Sequence, residues 1–334
     1  MKTIKLKNTA LEVSNICLGA GGFNNQANRE KSFELLDAYV AGGGNFIDTA
    51  SVYGRGNGGS NYSEQVLGEW LKERNAYKTV IIATKGAHYD LAIPSVSRVT
   101  KEDICQDLAQ SLKTLGLEQI DFYWLHRDNP QIPVEQIIDI MEALVKEGKI
   151  RYYGASNYTT ERLKTAAEYA KKNGYHGFSA VSNQWSMASM NLGGNTNPDP
   201  TLVEVLKEEY NWHIETGMPL VPYTASAKGF FTKLLKENPE IKEGKLITPI
   251  DQLKISEPLK KAFLNKRNLQ IFEDLKKWQV ETGYSVQALS IGYLISQPFQ
   301  VIPITAVGNT EQLNDIFTAS EIVLDRSLIQ KYSL

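Results

Sequence analysis

From Ile16 onward the chain alternates short apolar runs with segments of helical period, and this pattern restricts its fold more than any other feature. An apolar run followed by an amphipathic helix is a βα unit, and a series of such units builds a parallel sheet. Strands are predicted at Ile16–Leu18, Phe46–Asp48, Val80–Thr84, Phe122–Leu125, Tyr152–Ala155, Ala180–Gln184, Leu220–Tyr223 and Val301–Ile304. Helices are predicted at Lys31–Ala41, Ser63–Arg74, Thr100–Leu115, Val134–Glu147, Thr159–Lys172, Leu202–Glu209, Ser285–Ser296 and Thr310–Ala319. Thr100 ahead of Asp103 reads as a helix start, and Gly148 as a helix stop. The expected architecture is a TIM (β/α)8 barrel. Ahead of it, Ile4 and Leu6, a turn at Asn8 and Thr9, and Leu11 and Val13 predict an N-terminal β-hairpin.

The 334 residues contain no Pro, Gly or Ser-rich linker, so residues 1–334 are read as one domain. Two long loops are expected: Trp185 to Pro200, with Gly193, Gly194 and Pro198, and Lys228 to about Glu257. Long loops at strand ends often carry function. With 42% hydrophobic and 22% charged residues, disordered and fibrous classes fit poorly. Thirty-six basic against 38 acidic residues give a net charge of -2, so no nucleic-acid or membrane partner is expected. Only Cys17 and Cys105 are present, which argues against a disulfide framework. The amino terminus lacks a charged head before an apolar segment, so a cytoplasmic location is expected. No metal site is expected, and no feature specifies an oligomeric state.

In a parallel barrel the site forms where strands end. The second strand ends in FIDTASVYG, giving Asp48 and Tyr53; the third ends in ATKG, giving Lys85; the fourth ends in LHR, giving His126. Singly, these are a turn cap, a loop aromatic, a surface charge and a buried histidine. Together they fit proton transfer through a phenol. A free phenol has a pKa of about 10, too high for an efficient acid near neutrality. A cation about 4 Å away, at an effective dielectric of about 20, supplies on the order of 4 kcal/mol toward ionising it. Asp48 would pair with the Lys85 ammonium, and His126 would hydrogen-bond a substrate oxygen.

Further rim residues fit a flat carboxamide ring and a diphosphate. Ser156 and Asn157 end the fifth strand, Gln184 and Trp185 the sixth, and Tyr223, Thr224, Ser226 and Lys228 the seventh. A nicotinamide dinucleotide matches that order. LGAGGF has Gly19, Gly21 and Gly22 but Asn24 where a dinucleotide fingerprint needs glycine, and no Walker motif is present. The dinucleotide would therefore lie extended across the barrel mouth.

These motifs, FIDTASVYG, ATKG, LHR, GASNY and NQWS, stand in an order and at separations that resemble the aldo-keto reductase superfamily over almost the whole chain. The resemblance implies a TIM barrel that reversibly reduces aldehydes or ketones to alcohols with an extended NAD(P)H. It implies Tyr53 as general acid/base, Lys85 as the group lowering its pKa, Asp48 as the partner of Lys85, and His126 as substrate orienter. Ser156, Asn157 and Gln184 would hold the carboxamide, Tyr223 would stack on the nicotinamide, and Thr224, Ser226 and Lys228 would line the diphosphate. Gly21 and Gly22 would allow close backbone approach.

The last unit departs from the family pattern. Where members that prefer NADP offer Lys or Arg, this chain has Ala306, Gly308 and Gln312, and Ile316 stands in place of an adenine-side Asn. No cation falls between Pro303 and Asp315. By family the cofactor is NADP(H), with NAD(H) as the alternative; Gly308 and Gln312 are expected to contact it. The expected substrate is a small carbonyl compound among Tyr53, His88, His126, Arg127 and Trp185, with Tyr89, Arg98 and Asp128 nearby; a sugar or polyol carbonyl is weakly preferred. The rival readings are a cofactor-binding regulatory subunit, and a lyase or aldolase with Lys85 as Schiff-base nucleophile.

Overall fold

The strands form where the apolar runs predict, in chain order around a curled sheet. The computed structural model describes residues 1–23, 28–55, 61–194 and 199–333. Strands β1 (Thr3–Lys5) and β2 (Glu12–Ser14) pair antiparallel as the predicted hairpin. The barrel strands follow: β3 (Cys17–Gly19), β4 (Phe46–Asp48), β5 (Ile81–Gly86), β6 (Ile120–Leu125), β7 (Ile150–Ser156) and β8 (Val181–Ser182). A second hairpin, β9 (Ile241–Lys242) with β10 (Lys245–Leu246), precedes the last barrel strand, β11 (Ile304–Thr305). The parallel order is β11-β3-β4-β5-β6-β7-β8.

The gap between β8 and β11 is filled by the predicted seventh strand. Val181 bridges to Leu220 and Leu220 to Val301, both parallel, and Ile304 N donates to Pro222 O at 2.9 Å. These are single rungs because Pro219 and Pro222 have no N–H to donate to a ladder. The result is a closed (β/α)8 barrel.

Helices cover the outside: α1 (Arg29–Ala41), α2 (Tyr62–Arg74), α3 (Lys101–Leu115), α4 (Val134–Lys146), α5 (Thr160–Asn173), α6 (Lys207–Thr216), α7 (Phe230–Glu237), α8 (Glu257–Phe263), α9 (Lys266–Thr282), α10 (Val286–Ile295), α11 (Glu311–Glu321) and α12 (Arg326–Tyr332). The Thr100 cap is present, its side chain accepting from Asp103 N. Two expectations need correction. The helix predicted at Leu202–Glu209 runs instead over Lys207–Thr216, because Val203 and Val205 pair with Gln184 through Gln184 N to Val203 O and Val205 N to Gln184 O. The stretch from Lys228 is not a bare loop but contains α7 and the β9–β10 hairpin. Helix α9, unanticipated, buries Leu269, Ile271, Phe272 and Leu275 at helical spacing. Of the first expected loop, Pro198 lies outside the described residues.

Side chains alternate across each strand, and this sets what the barrel encloses. Leu6, Leu11 and Val13 of the hairpin close the bottom against Cys17, Phe46, Ala83, Phe122, Trp124, Val221 and Ile302. Two residues further along β4, β5 and β6, the same inward parity brings up Asp48, Lys85 and His126. Gly154 on β7 lets the Trp124 ring pack against it; an added Cβ would also lie 2.6 Å from Ala180 O. Leu11 is 1% exposed. Leu11→Ala is expected to lower stability by about 2–5 kcal/mol, read from the urea midpoint, if the plug is part of the core; an unchanged midpoint would mean the hairpin only rests against the barrel.

Candidate active site

Asp48 and Lys85 end adjacent strands, and their side chains meet in a buried ion pair. Lys85 Nζ also donates to Thr49 O at 2.8 Å and lies 4.9 Å from the centroid of the Tyr53 ring. The Tyr53 ring meets His126 edge-on, with centroids 5.7 Å apart. The four residues thus converge at the carboxyl end of β4 to β6, as expected. Burial works against the Lys85 ammonium, but Asp48 and then Tyr53 outweigh it, so its pKa is raised. Burial raises the Asp48 carboxyl, and Lys85 offsets this only in part. Both effects follow from removing an ion pair from water. His126 is held well below its ordinary pKa by burial, Arg127, His88 and Lys85, so it is a neutral imidazole that can donate one N–H.

His88 packs on His126 with ring centroids 4.8 Å apart. Its Nδ1 lies 2.9 Å from Tyr89 O, which can only accept, so Nδ1 carries the proton. Arg127 is placed differently from the expectation of a substrate contact. It is buried, donating to Asp199 Oδ2 and His126 O, both at 2.8 Å. The Tyr89 hydroxyl donates to the same Asp199 oxygen at 2.6 Å. Burial alone would raise the Asp199 carboxyl, but donation from Thr201, Tyr89 and Arg127 holds it well below the usual range. Trp185 requires outright correction: it packs in the core, with its ring 5.9 Å from Tyr210, 6.2 Å from Tyr293 and 6.4 Å from Phe299. Alternation turns Trp185 outward where it turns Gln184 the other way. Arg98 and Asp128 are likewise committed, to Asp107 and Arg162.

A cleft of about 540 Å³ runs from Asp48 and Tyr53 past Gly21, Tyr223, Thr224, Ser226 and Lys228 to Gln312. These sequence-identified residues are therefore brought together. Gly22, though exposed beside it, does not line the cleft. Gly308 meets it only through Gln312, whose Oε1 accepts from Gly308 N at 2.7 Å. Thr224, Ala227 and Lys228 all have positive φ, at 57°, 49° and 55°, a costly conformation for residues with a Cβ and one that recurs where ligands bind.

Ser156, Asn157 and Gln184 lie buried behind Tyr223. Ser156 Oγ donates to Ser182 O at 2.7 Å, and Gln184 Nε2 lies 3.4 Å from Met190 Sδ. Asn157 Oδ1 accepts from the Tyr223 hydroxyl at 2.6 Å and from Val203 N at 3.1 Å. Asn157 N in turn donates to Asn183 Oδ1 at 2.7 Å, and Asn183 Nδ2 donates to Glu209 Oε1 at 2.8 Å. Sequence reasoning missed Asn183 and Glu209, as well as Lys233 and Lys236, which line the cleft from α7. The SNQ stretch was a signal for Asn183; nothing local marked Glu209.

The donor set fits a dinucleotide: hydroxyls and ammonium groups line the cleft beyond a phenol, and a neutral imidazole stands beside it. A model of the Aldo/keto reductase family matches residues 15–332. This chain belongs to the aldo/keto reductase family. It is similar to the uncharacterized oxidoreductase YrpG of Bacillus subtilis, 24% identical over 99% of this chain and 94% of that protein. An aryl-alcohol dehydrogenase [NADP(+)] of Phanerodontia chrysosporium is 25% identical over 96% and 82%. An aldo/keto reductase of Klebsiella pneumoniae solved in complex with NADP and acetate superposes with a TM-score of 0.67 at 21% identity, over 99% of this chain and 94% of that one. No helix among the described residues of this aldo/keto reductase is long and apolar enough to cross a membrane.

His88 is pushed down to about 4, by burial first and by Arg127 next, from an ordinary 6.5. Between those values the unfolded chain binds a proton that the native site refuses, so stability falls as pH drops from about 6.5 toward 4. The loss from His88 is expected to reach roughly 3 kcal/mol. His88→Gln should flatten this part of a plot of urea midpoint against pH; an unaltered slope would mean that His88 is protonated in the native state.

Proposed function

We propose that this enzyme reduces aldehydes or ketones to alcohols with NADP(H), reversibly, with Tyr53 giving the proton. The observation that carries the reading is the Lys85 ammonium, pinned by Asp48 and Thr49 O and lying 4.9 Å from the Tyr53 ring. The bound nicotinamide would supply the hydride to the carbonyl carbon. The Tyr53 hydroxyl gives its proton to the carbonyl oxygen, and Lys85 stabilises the phenolate left behind until solvent reprotonates it. Neutral His126 donates a hydrogen bond to the same oxygen and fixes its direction. Tyr223 forms the face against the ring, while Thr224, Ser226 and Lys228 serve the diphosphate. Ser156, Asn157 and Gln184, buried behind Tyr223, would reach a carboxamide only by exchanging their present partners, Ser182 O, the Tyr223 hydroxyl and Met190 Sδ.

Lys85 is poorly suited to Schiff-base chemistry. A nucleophilic amine must be uncharged, whereas Asp48 and Tyr53 favour the ammonium over the effect of burial. Names of relatives support a reductase, and the NADP in the Klebsiella complex supports the choice of cofactor. The substrate we favour is an aldehyde with an aromatic or apolar substituent. Two contacts expected for a sugar are lost, the Trp185 ring to the core and the Arg127 guanidinium to Asp199, and the adjoining rings of Tyr53, His126 and His88 would then face the substrate. The name of the Phanerodontia relative points the same way. Residues 1–334 are taken as one domain, a reading supported by the family match over 15–332.

A panel of aromatic aldehydes, ketones and sugars assayed with NADPH tests the proposal. Tyr53→Phe is expected to lose about 10²–10⁴-fold in kcat with far less change in cofactor Kd. Full turnover in Tyr53→Phe would remove the proposed acid, and a preference for sugars would overturn the substrate class.

A further inference from the structure

The end of the cleft away from Tyr53 has two dissimilar walls. One is built from Ala306, Val307 and the α11 residues Gln312, Asp315 and Ile316. This wall offers no ammonium or guanidinium group. Gln312 Oε1 is occupied by Gly308 N, and Asp315 Oδ1 accepts from Ser285 Oγ at 2.6 Å. The facing wall is α7, which contributes Thr232, Lys233 and Lys236.

Lys233 and Lys236 are three residues apart and so share one side of the helix. The other side buries Phe230, Phe231 and Leu234, which fixes the rotation of α7 and holds both lysines toward the cleft. Both lysines are exposed, and among the described residues neither forms an ion pair. Lys233 Nζ instead donates to Lys228 O at 3.0 Å, bringing a second cation beside Lys228. The Lys228 pKa is lowered, by burial first and by Lys233 next. Among the described residues lining the cleft, Lys233 and Lys236 face one carboxylate that is not in an ion pair, Asp315, while Asp48 pairs with Lys85. Like charges held at one wall are destabilising until an anion arrives.

We propose that Lys233 and Lys236 bind the phosphate monoester that distinguishes NADP from NAD, replacing the cations that the last βα unit lacks. This inference rests on the dinucleotide reading of the cleft. A diphosphate alongside Thr224, Ser226 and Lys228 uses the inner part of the wall. The two outer lysines remain, and a monoester carries close to two negative charges at neutral pH, a match for two ammonium groups. Cofactor choice therefore passes from α11 to α7.

The test uses Lys233→Gln, Lys236→Gln, the double variant and Lys233→Arg/Lys236→Arg, with isothermal titration of NADP+, NAD+, 2′,5′-ADP and 5′-ADP at low and high salt. The expected result is that wild type binds NADP+ more tightly than NAD+. The double Gln variant loses about 10-fold or more for NADP+ and 2′,5′-ADP, stays within about twofold for NAD+ and 5′-ADP, and shows a weaker salt dependence. The Arg pair should restore the preference, which a purely structural effect on α7 would not do. If both dinucleotides bind and their affinity ratio is unchanged in the double Gln variant, the lysine assignment falls and the reductase reading stands. If wild type binds neither dinucleotide, both fall.

Discussion

A buried ion pair between neighbouring strands is the interaction on which the arrangement of the candidate site depends. Asp48 and Lys85 are each 2% exposed, and neither charge would be tolerated there alone. Removal of one partner from such a pair typically costs about 3–5 kcal/mol because the other is left uncompensated. The pair therefore keeps a cation beside a phenol in a place that would otherwise expel it. Thr49 O takes another of the ammonium protons and fixes its direction.

Around this pair, the barrel supplies a simple rule of placement. The same alternation that sends Phe46, Ala83 and Trp124 into the plugged interior sends Asp48, Lys85 and His126 to its upper rim. Hydrophobic packing below and charge above are thus properties of the same strands. The hairpin fills the lower opening with Leu6, Leu11 and Val13, which pack in one apolar cluster with Phe46, Ala83 and Trp124.

Much of this was legible in the sequence, because it follows from local periodicity. Seven barrel strands and the tetrad could be placed from apolar runs and the residues that end them. The seventh rung was also correctly located, although its prolines reduce it to isolated bridges. What escaped depended on contacts between distant segments. Trp185 looks like a rim aromatic until its parity beside Gln184 is known, and Arg127 looks available until Asp199, seventy-two residues away, is seen to meet it. Glu209 acts on Asn157 only through Asn183, a chain that no spacing rule encodes. Helix α9 went unseen because its many charged residues mask a regular apolar stripe, and the α7 lysines because their stretch was read as loop.

The two prolines in the closing rung also divide the barrel mechanically. On the β4 to β7 side, continuous ladders hold Asp48, Lys85 and Leu125, the residue before His126. At residues 219–223 the wall is stitched by a few separate bonds, and this is the segment that carries Tyr223. The cylinder therefore has a seam of isolated bridges at Leu220 and Tyr223, set beside strands joined by unbroken ladders.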